Sequence, residues 1–284
     1  MRIDLHTHSS ASDGTDAPAE LVRAAARAGL DVVALTDHDT TAGWDEAAAA
    51  LPTGLRLVRG MEMSCTGRGE DGAPVAVHLL AYLFDPHDAV FVAELERLRG
   101  ERVSRIRAMG VRMADDGLPI DIDAVLADAG PAAGRPHLAR ALVTAGVVPT
   151  VGDAFTELLS PRGRYYVPKA DTPLADAVKM VTAAGGVPVV AHARARARGR
   201  LLALDHIEEL AELGLGGVEA DHPDHSEQDV RTMRDLARSL GVVVTGSSDY
   251  HGDNKDVRLG SFTTAPAAYE ALLDRATGVE VLEG

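Results

Sequence analysis

The sequence is short of four things. It has one cysteine, Cys65, in 284 residues, so no intramolecular disulfide and no thiolate zinc site can form. Aromatic residues make up only 4% of the chain, which leaves the core to Val, Leu and Ala. Apolar runs of 18 or more residues are missing, and the opening MRIDLHTHSS lacks the apolar stretch of a secretory signal. The expectation is a cytoplasmic protein with no membrane span. Positive charge is also scarce: 28 Lys+Arg against 43 Asp+Glu leave a formal net charge of −15. Such a surface repels duplex DNA and anionic membranes. A polyanionic substrate would need a local positive site, and bound metal ions are one way to supply it.

What is present is an ordinary globular composition, with 46% hydrophobic and 25% charged residues. The length suits either two domains or one α/β barrel of about 250 residues carrying an insertion. Strand-like runs at Arg2–Thr7, Asp31–Leu35, Leu55–Met63 and Val75–Leu83 alternate with helical patterns at Pro18–Gly29 and Ala42–Leu51. A Gly-rich turn (Gly67, Gly69, Gly72) joins the third and fourth strands. From Val90 to about Val148 the chain reads as helical and charged, interrupted by GPAAGRP at 130–136. Strands resume at Val187–Ala191, Gly217–Ala220 and Val242–Gly246, with helices at Pro173–Ala184, Leu204–Gly214 and Gln228–Leu240 between them. This rhythm predicts a mainly parallel α/β sheet covered by helices, with a small helical insertion domain. The expected division is 1–89 and 166–284 for the sheet domain and 90–165 for the insertion.

The placement of ligand-type side chains is the most informative pattern. His6 and His8 end the first strand, and their i, i+2 spacing points both to one face. Asp13 follows in the loop. His38 comes directly after the second strand, Glu62 sits at the end of the third, and His78 lies on the fourth. His192 follows VPVVA, and Asp249 and His251 follow VVVTGSS. One histidine after a strand carries no weight. Six histidines and three carboxylates at the same ends do, because that face of a parallel α/β barrel carries the active site. The set suffices for two divalent ions, or three if Glu62 bridges.

The motifs DLHTHSSASDGT (4–15), ALTDHDT (34–40), GMEMS (60–64), VHLLAY (77–82), VVAH (189–192) and SSDYHG (247–252) resemble, in order, those of the PHP (polymerase and histidinol phosphatase) family. The resemblance implies a distorted (β/α)7 barrel and metal-dependent phosphoester hydrolysis with two or three ions of Mn, Fe or Zn. It implies one metal held by His6, His8, Glu62 and Asp249. A second would be held by Glu62, His78 and His192, and a third by Asp13, His38 and His251. Within the insertion, GRPHLARALV (134–143) is similar to the nucleoside 3′,5′-bisphosphate phosphatases of the family, some relatives of which act as 5′→3′ exoribonucleases on short RNA. There Arg135 and His137 would grip substrate phosphate. The usual Pro after VVAH is Ala193 here, and the basic residue that follows is one of Arg194, Arg196, Arg198 or Arg200, with Arg198 favoured. Glu219 and His222 are expected to line the mouth, with His225, His87 and His206 on the surface. Tyr165 and Tyr166 either stack on a base or pack where the insertion rejoins the barrel.

The implied reaction is in-line attack on phosphorus by a hydroxide held between metals, with Asp37, His222 or a water protonating the leaving alcohol. The expected substrate is a small phosphorylated nucleotide. Rival readings are the exoribonuclease, a phosphatase for another monoester such as histidinol phosphate, and a non-catalytic regulatory PHP module. The intact nine-ligand set speaks against the last.

Overall fold

The computed structural model describes residues 1–129, 133–160 and 163–284. The elements run β1 (Ile3–Asp4), α1 (Pro18–Arg27), β2 (Val32–Leu35), α2 (Trp44–Ala49), β3 (Arg56–Arg68) and β4 (Pro74–Tyr82). They continue through α3 (Ala89–Asp115), α4 (Ile122–Ala129), α5 (Arg135–Thr144) and α6 (Val151–Ala154), the last passing into a wider π turn at Phe155–Leu159. Then come β5 (Thr172–Pro173), α7 (Leu174–Ala183), β6 (Val187–Val190), α8 (Leu204–Glu212), β7 (Gly217–Asp221), α9 (Glu227–Leu240), β8 (Val243–Gly246), α10 (Pro266–Leu273) and β9 (Leu282–Glu283).

Local chemistry sets the helix ends. In α1, Pro18 sits in the first turn, where its missing N–H costs nothing, and Gly29 follows the helix at φ 73°. Its Leu21, Val22 and Ala25 form a buried stripe, and burying each larger side chain contributes about 1.5–3 kcal/mol. In α9, the Ser226 hydroxyl accepts from the Asp229 N–H while the Asp229 carboxylate reaches back to the Ser226 N–H.

The sheet order is β1-β2-β3-β4-β6-β7-β8. Along that path β4 is the exception to the parallel rule and runs against both β3 and β6; off the path, β9 also pairs antiparallel with β3. Thr7 pairs in parallel with Tyr250, and the His8 N–H donates to the Tyr250 carbonyl at 2.8 Å. That pairing brings the chain after β8 back to β1, so the sheet is a nearly closed barrel. Ile3, Leu5, Val32, Ala34, Val58, Leu80, Val189 and Ala191 form its core, and Tyr82 Oη donates to the Leu5 carbonyl at 2.8 Å. The β2 strand is buried at all four positions, as expected of a central parallel strand.

The antiparallel β4 corrects one expectation. Glu62 was expected at the end of its strand and His78 on the fourth; both lie inside β3 and β4, in the register Glu62↔Leu80 and Ser64↔His78. The two strands form a hairpin that continues past the metal-ligating level, so ligands from its middle reach the same cluster.

The chain divides into two compact units, Met1–Glu94 with Asp171–Gly284, and Leu95–Ala170. The division falls five residues later on each side than the expected 90–165. Inside the second unit, Arg97 donates to the Ala170 carbonyl and Arg105 to the Val167 carbonyl, both at 2.7 Å, which ties residues 166–170 to α3. Its core holds Ile106, Met109, Met113, Leu138, Leu142 and Tyr165. Gly110 allows the approach of α4, because a Cβ there would stand 2.5 Å from the Ile122 side chain. The start of the GPAAGRP stretch, residues 130–132, lies outside the described residues. Among the described residues, no helix is long and apolar enough to cross a membrane.

Candidate metal centre

His6 and His8 leave β1 two residues apart, and their Nε2 atoms face each other at 3.0 Å. Glu219, fully buried on β7, accepts from His6 Nδ1 at 3.2 Å. That bond leaves Nε2 as the lone-pair nitrogen directed into the cluster. Glu219 is in turn held by the Ser247 hydroxyl and by the His192 N–H at 2.9 Å.

Glu62 stands at the centre. Its Oε2 lies 3.2 Å from His6 Nε2, 3.1 Å from His8 Nε2 and 3.3 Å from His38 Nδ1. Its Oε1 lies 2.7 Å from His78 Nδ1 and 2.8 Å from His192 Nε2. Asp249 Oδ1 is 3.5 Å from both His6 and His8. Asp13 Oδ1 is 3.3 Å from His251 Nε2, and its Oδ2 is 3.7 Å from His38 Nε2. His251 Nδ1 donates to the Asp249 carbonyl at 2.8 Å, which frees Nε2 for a ligand.

Three ligand groups follow: His6, His8, Glu62 and Asp249; His8, Asp13, His38 and His251; and His38, Glu62 and His78. The first matches the expected set. The second contains the expected Asp13, His38 and His251, with His8 added. In the third, His38 stands where His192 was expected. His192 does touch Glu62, but its Nε2 also receives Arg198 Nη1 at 3.1 Å.

The donor set fits divalent ions. His38 Nδ1 and His78 Nδ1 are buried and near Glu62, yet neither is aligned for a hydrogen bond. Burial alone would raise the Glu62 carboxyl; His78, His6 and His38 hold it well below its usual range. Burial likewise opposes ionisation of Asp13, and His251 and His38 overcome it. Burial lowers His8, to about 4, and takes His38 and His192 well below the usual imidazole value. Burial also works against the His6 imidazolium, but Glu62, Asp249 and Glu219 raise it well above. Charged carboxylates such as Glu62 and Asp13, and neutral imidazoles such as His8, His38 and His192, are the protonation states that metal binding requires. His192 (φ 27°) and Asp249 (φ 54°) adopt left-handed backbone, which non-glycine residues take only when the surroundings enforce it.

Asp37 lies beneath the 9–13 loop, where it accepts from the Ser9 N–H at 2.8 Å, the Ser9 hydroxyl at 2.6 Å and the Ser12 hydroxyl at 2.5 Å. Burial pushes its carboxyl up to about 6. A Cβ at Gly14 would collide with the His8 carbonyl, so glycine lets this loop fold back tightly behind the ligands. His222 is buried, with Nε2 3.2 Å from Asp249 Oδ2, while the Asp224 N–H donates to its Nδ1 at 3.0 Å.

Of the four arginines after His192, Arg198 alone reaches a ligand, with Nη2 2.7 Å from Asp249 Oδ2. Arg194 pairs with Glu70, Arg196 with Asp229 and Arg200 with Asp71. His225 is a half-buried latch rather than a free surface group: Nδ1 donates to the Ala220 carbonyl and Nε2 accepts the Arg194 N–H. His206 pairs with Glu209, and His87 is exposed. In the other unit, Arg135 opens α5, donates to the Leu159 carbonyl at 3.1 Å and lies over the Phe155 and Tyr166 rings. His137 Nδ1 accepts the Gly134 N–H at 3.2 Å. Tyr165 is a core residue of that unit, and Arg105 also covers Tyr166.

Sequence reasoning passed over Lys255, whose Nζ lies 2.5 Å from Asp249 Oδ2. One signal was available: it is one of three lysines in the chain and sits four residues after the SSDYH histidine. The role of Glu219 as the partner of His6 depended on which strands adjoin, which no local pattern reveals. Replacing Glu219 with Gln should cost about tenfold in metal affinity or rate, because the His6 ring loses its anchoring anion. Metal titration of the stripped variant measures this, and unchanged affinity and rate would contradict it.

Residues 4–100 match the PHP domain family. The 3′,5′-nucleoside bisphosphate phosphatase of Chromobacterium violaceum is 34% identical over 261 residues, covering 90% of this chain and 89% of that one. The phosphoribosyl 1,2-cyclic phosphate 1,2-diphosphodiesterase of Eggerthella lenta is 32% identical, with coverages of 89% and 95%. The crystal structure of a Bifidobacterium adolescentis protein described as a metal-dependent phosphoesterase superposes with a TM-score of 0.89 at 36% identity, over 97% of this chain and 96% of that chain. Similarity over nearly the full length of these chains, joined to a cluster of six histidines and three carboxylates that is buried except for the half-buried His78, makes this chain a member of the PHP family of metal-dependent phosphoesterases.

Proposed function

We propose that the chain hydrolyses a phosphate monoester of a nucleotide, with a nucleoside 3′,5′-bisphosphate as the substrate and two or three ions of Mn, Fe or Zn as cofactors. The observation that carries the phosphoesterase chemistry is Glu62, whose two oxygens reach five histidines and so suit a bridge between ions. His6, His8, Glu62 and Asp249 would hold one ion; Glu62, His78 and His38 or His192 a second; Asp13, His38 and His251 a third. Such ions supply Lewis acidity toward phosphoryl oxygens and generate a nucleophile near neutral pH.

The chain's own residues do the rest. Glu219 and the Asp249 carbonyl fix the tautomers of His6 and His251. Asp37 spends both oxygens on Ser9 and Ser12, which suits holding the loop rather than proton delivery. Because His222 Nδ1 accepts a backbone N–H, its proton sits on Nε2 beside Asp249. His222 is therefore the residue we assign as proton donor to the leaving alcohol. Arg198 is assigned to the phosphoryl group being cleaved.

The bisphosphate assignment is supported by the similarity to the Chromobacterium violaceum phosphatase and by the charge distribution. Residues 95–170 hold 11 of the 28 basic residues but only 9 of the 43 acidic ones. Arg135 and His137 lie in the first turn of α5, where helix N–H groups and an arginine fork suit a phosphate. We assign them to the phosphate that is not cleaved.

The test is a substrate panel on metal-reconstituted protein: adenosine 3′,5′-bisphosphate, histidinol phosphate and 5′-phosphorylated oligonucleotides. Chelation should abolish activity on all of them, and a divalent transition metal should restore it. The bisphosphate should have the highest kcat/KM. Preference for oligonucleotides would replace this reading with the exoribonuclease, and preference for histidinol phosphate with a monoester phosphatase.

A further inference from the structure

Asp249 presents two different faces. Its Oδ1 looks into the histidine cluster, 3.5 Å from His6 and His8. Its Oδ2 looks outward and meets three donors: Lys255 Nζ at 2.5 Å, Arg198 Nη2 at 2.7 Å and His222 Nε2 at 3.2 Å. A carboxylate oxygen has two lone pairs, so three donors, two of them cationic, exceed what it can accept. Asp224 takes a share of Arg198 at 2.8 Å, while among the described residues Lys255 has no second carboxylate partner. Both cations are about one-third exposed, with side-chain accessibilities of 31% and 35%, so part of each faces solvent beside the cluster.

Lys255 is also held in place. In the turn before it, Asn254 Nδ2 donates to the Asp13 carbonyl at 2.7 Å and the Asp253 N–H to Thr15 Oγ1 at 2.9 Å. These bonds tie the turn to the loop that carries Asp13, which keeps the ammonium beside the ligands without further ordering. When Asp249 serves as a metal ligand, less of its charge is left for the two cations, and they become the closest positive groups to an incoming anion.

We propose that Lys255 contacts substrate, pairing with Arg198 to hold the non-bridging oxygens of the phosphoryl group that is cleaved. Arg198 offers a planar fork and Lys255 a compact charge with three donors, and both would face oxygens on which charge is spread as the ester breaks. The proposal rests on the phosphoesterase reading and not on which nucleotide is the substrate.

The experiment compares wild type, Lys255→Met and Lys255→Arg as metal-loaded proteins. It measures bound metal per chain, kcat/KM on adenosine 3′,5′-bisphosphate and on 4-nitrophenyl phosphate, and calorimetric affinity for inorganic phosphate. Lys255→Met should keep its metal, bind inorganic phosphate about tenfold more weakly and lose about tenfold to a hundredfold in kcat/KM on both substrates alike. Lys255→Arg should recover part of both losses. Unchanged phosphate affinity and rate would overturn the proposal. So would a loss that follows metal content and is cured by excess metal, because Lys255 would then serve only to hold Asp249. Phosphate affinity is read whether or not the bisphosphate is turned over, so failure of the bisphosphate assignment stays distinguishable.

Discussion

Glu62→Ala is expected to strip the centre of metal and abolish phosphoester hydrolysis together. No other carboxylate among the described residues lies within 3.3 Å of five imidazoles, and no neighbour can take its place at the middle of β3. Loss of an outer partner of a metal ligand costs about 10–100-fold, so loss of a ligand shared between ions should exceed a hundredfold in rate. Glu62→Gln keeps the size but removes the charge that His78, His6 and His38 stabilise, and should lose metal nearly as completely. Elemental analysis beside steady-state kinetics tests the pair. A metal-stripped Glu62→Ala protein working at the wild-type rate would remove the basis for a metal mechanism.

Arg135→Ala should damage adenosine 3′,5′-bisphosphate turnover far more than 4-nitrophenyl phosphate turnover, with metal content unchanged. A charge-assisted contact to a second phosphate contributes about 1.5–3 kcal/mol, equal to about tenfold to a hundredfold in kcat/KM. Arg135→Lys should recover only part, because a lysine lacks the fork. Arg135 also donates to the Leu159 carbonyl and covers the Phe155 and Tyr166 rings, so thermal unfolding of the variant must be measured alongside. Equal damage to both substrates would move Arg135 to the scissile phosphate. Damage to neither would leave it as a helix-end and ring contact.

The nine candidate ligands could be picked out because metal chemistry restricts residue type and strand ends restrict position. His6 and His8 illustrate this: spacing on an extended segment fixes their common face whatever the rest of the fold does. The group around Glu62 and His78 was less legible, since the choice of His38 or His192 beside them depends on how three strands register. The antiparallel β4 could have been read from the short Gly67–Gly72 connection, because a parallel crossover needs a dozen or more residues. Two-residue strands such as β5 and β9 carry no periodicity and are created only by their pairing with β3. Asp37 stayed one of three candidate proton donors for a related reason: its place beside His38 in the chain says nothing of the two serines that occupy it.

The Thr7–Tyr250 pairing has a consequence for the order in which the protein comes into being. Translation delivers His6, His8 and Asp13 more than 230 residues before Asp249 and His251. The two candidate groups that use them stay incomplete over that interval, with the first strand waiting for the chain after β8. Contacts so distant in sequence also form slowly after release. The groups that include Asp249 or His251 are therefore completed only when the chain after β8 reaches β1, whereas His38, Glu62 and His78 need no such closure.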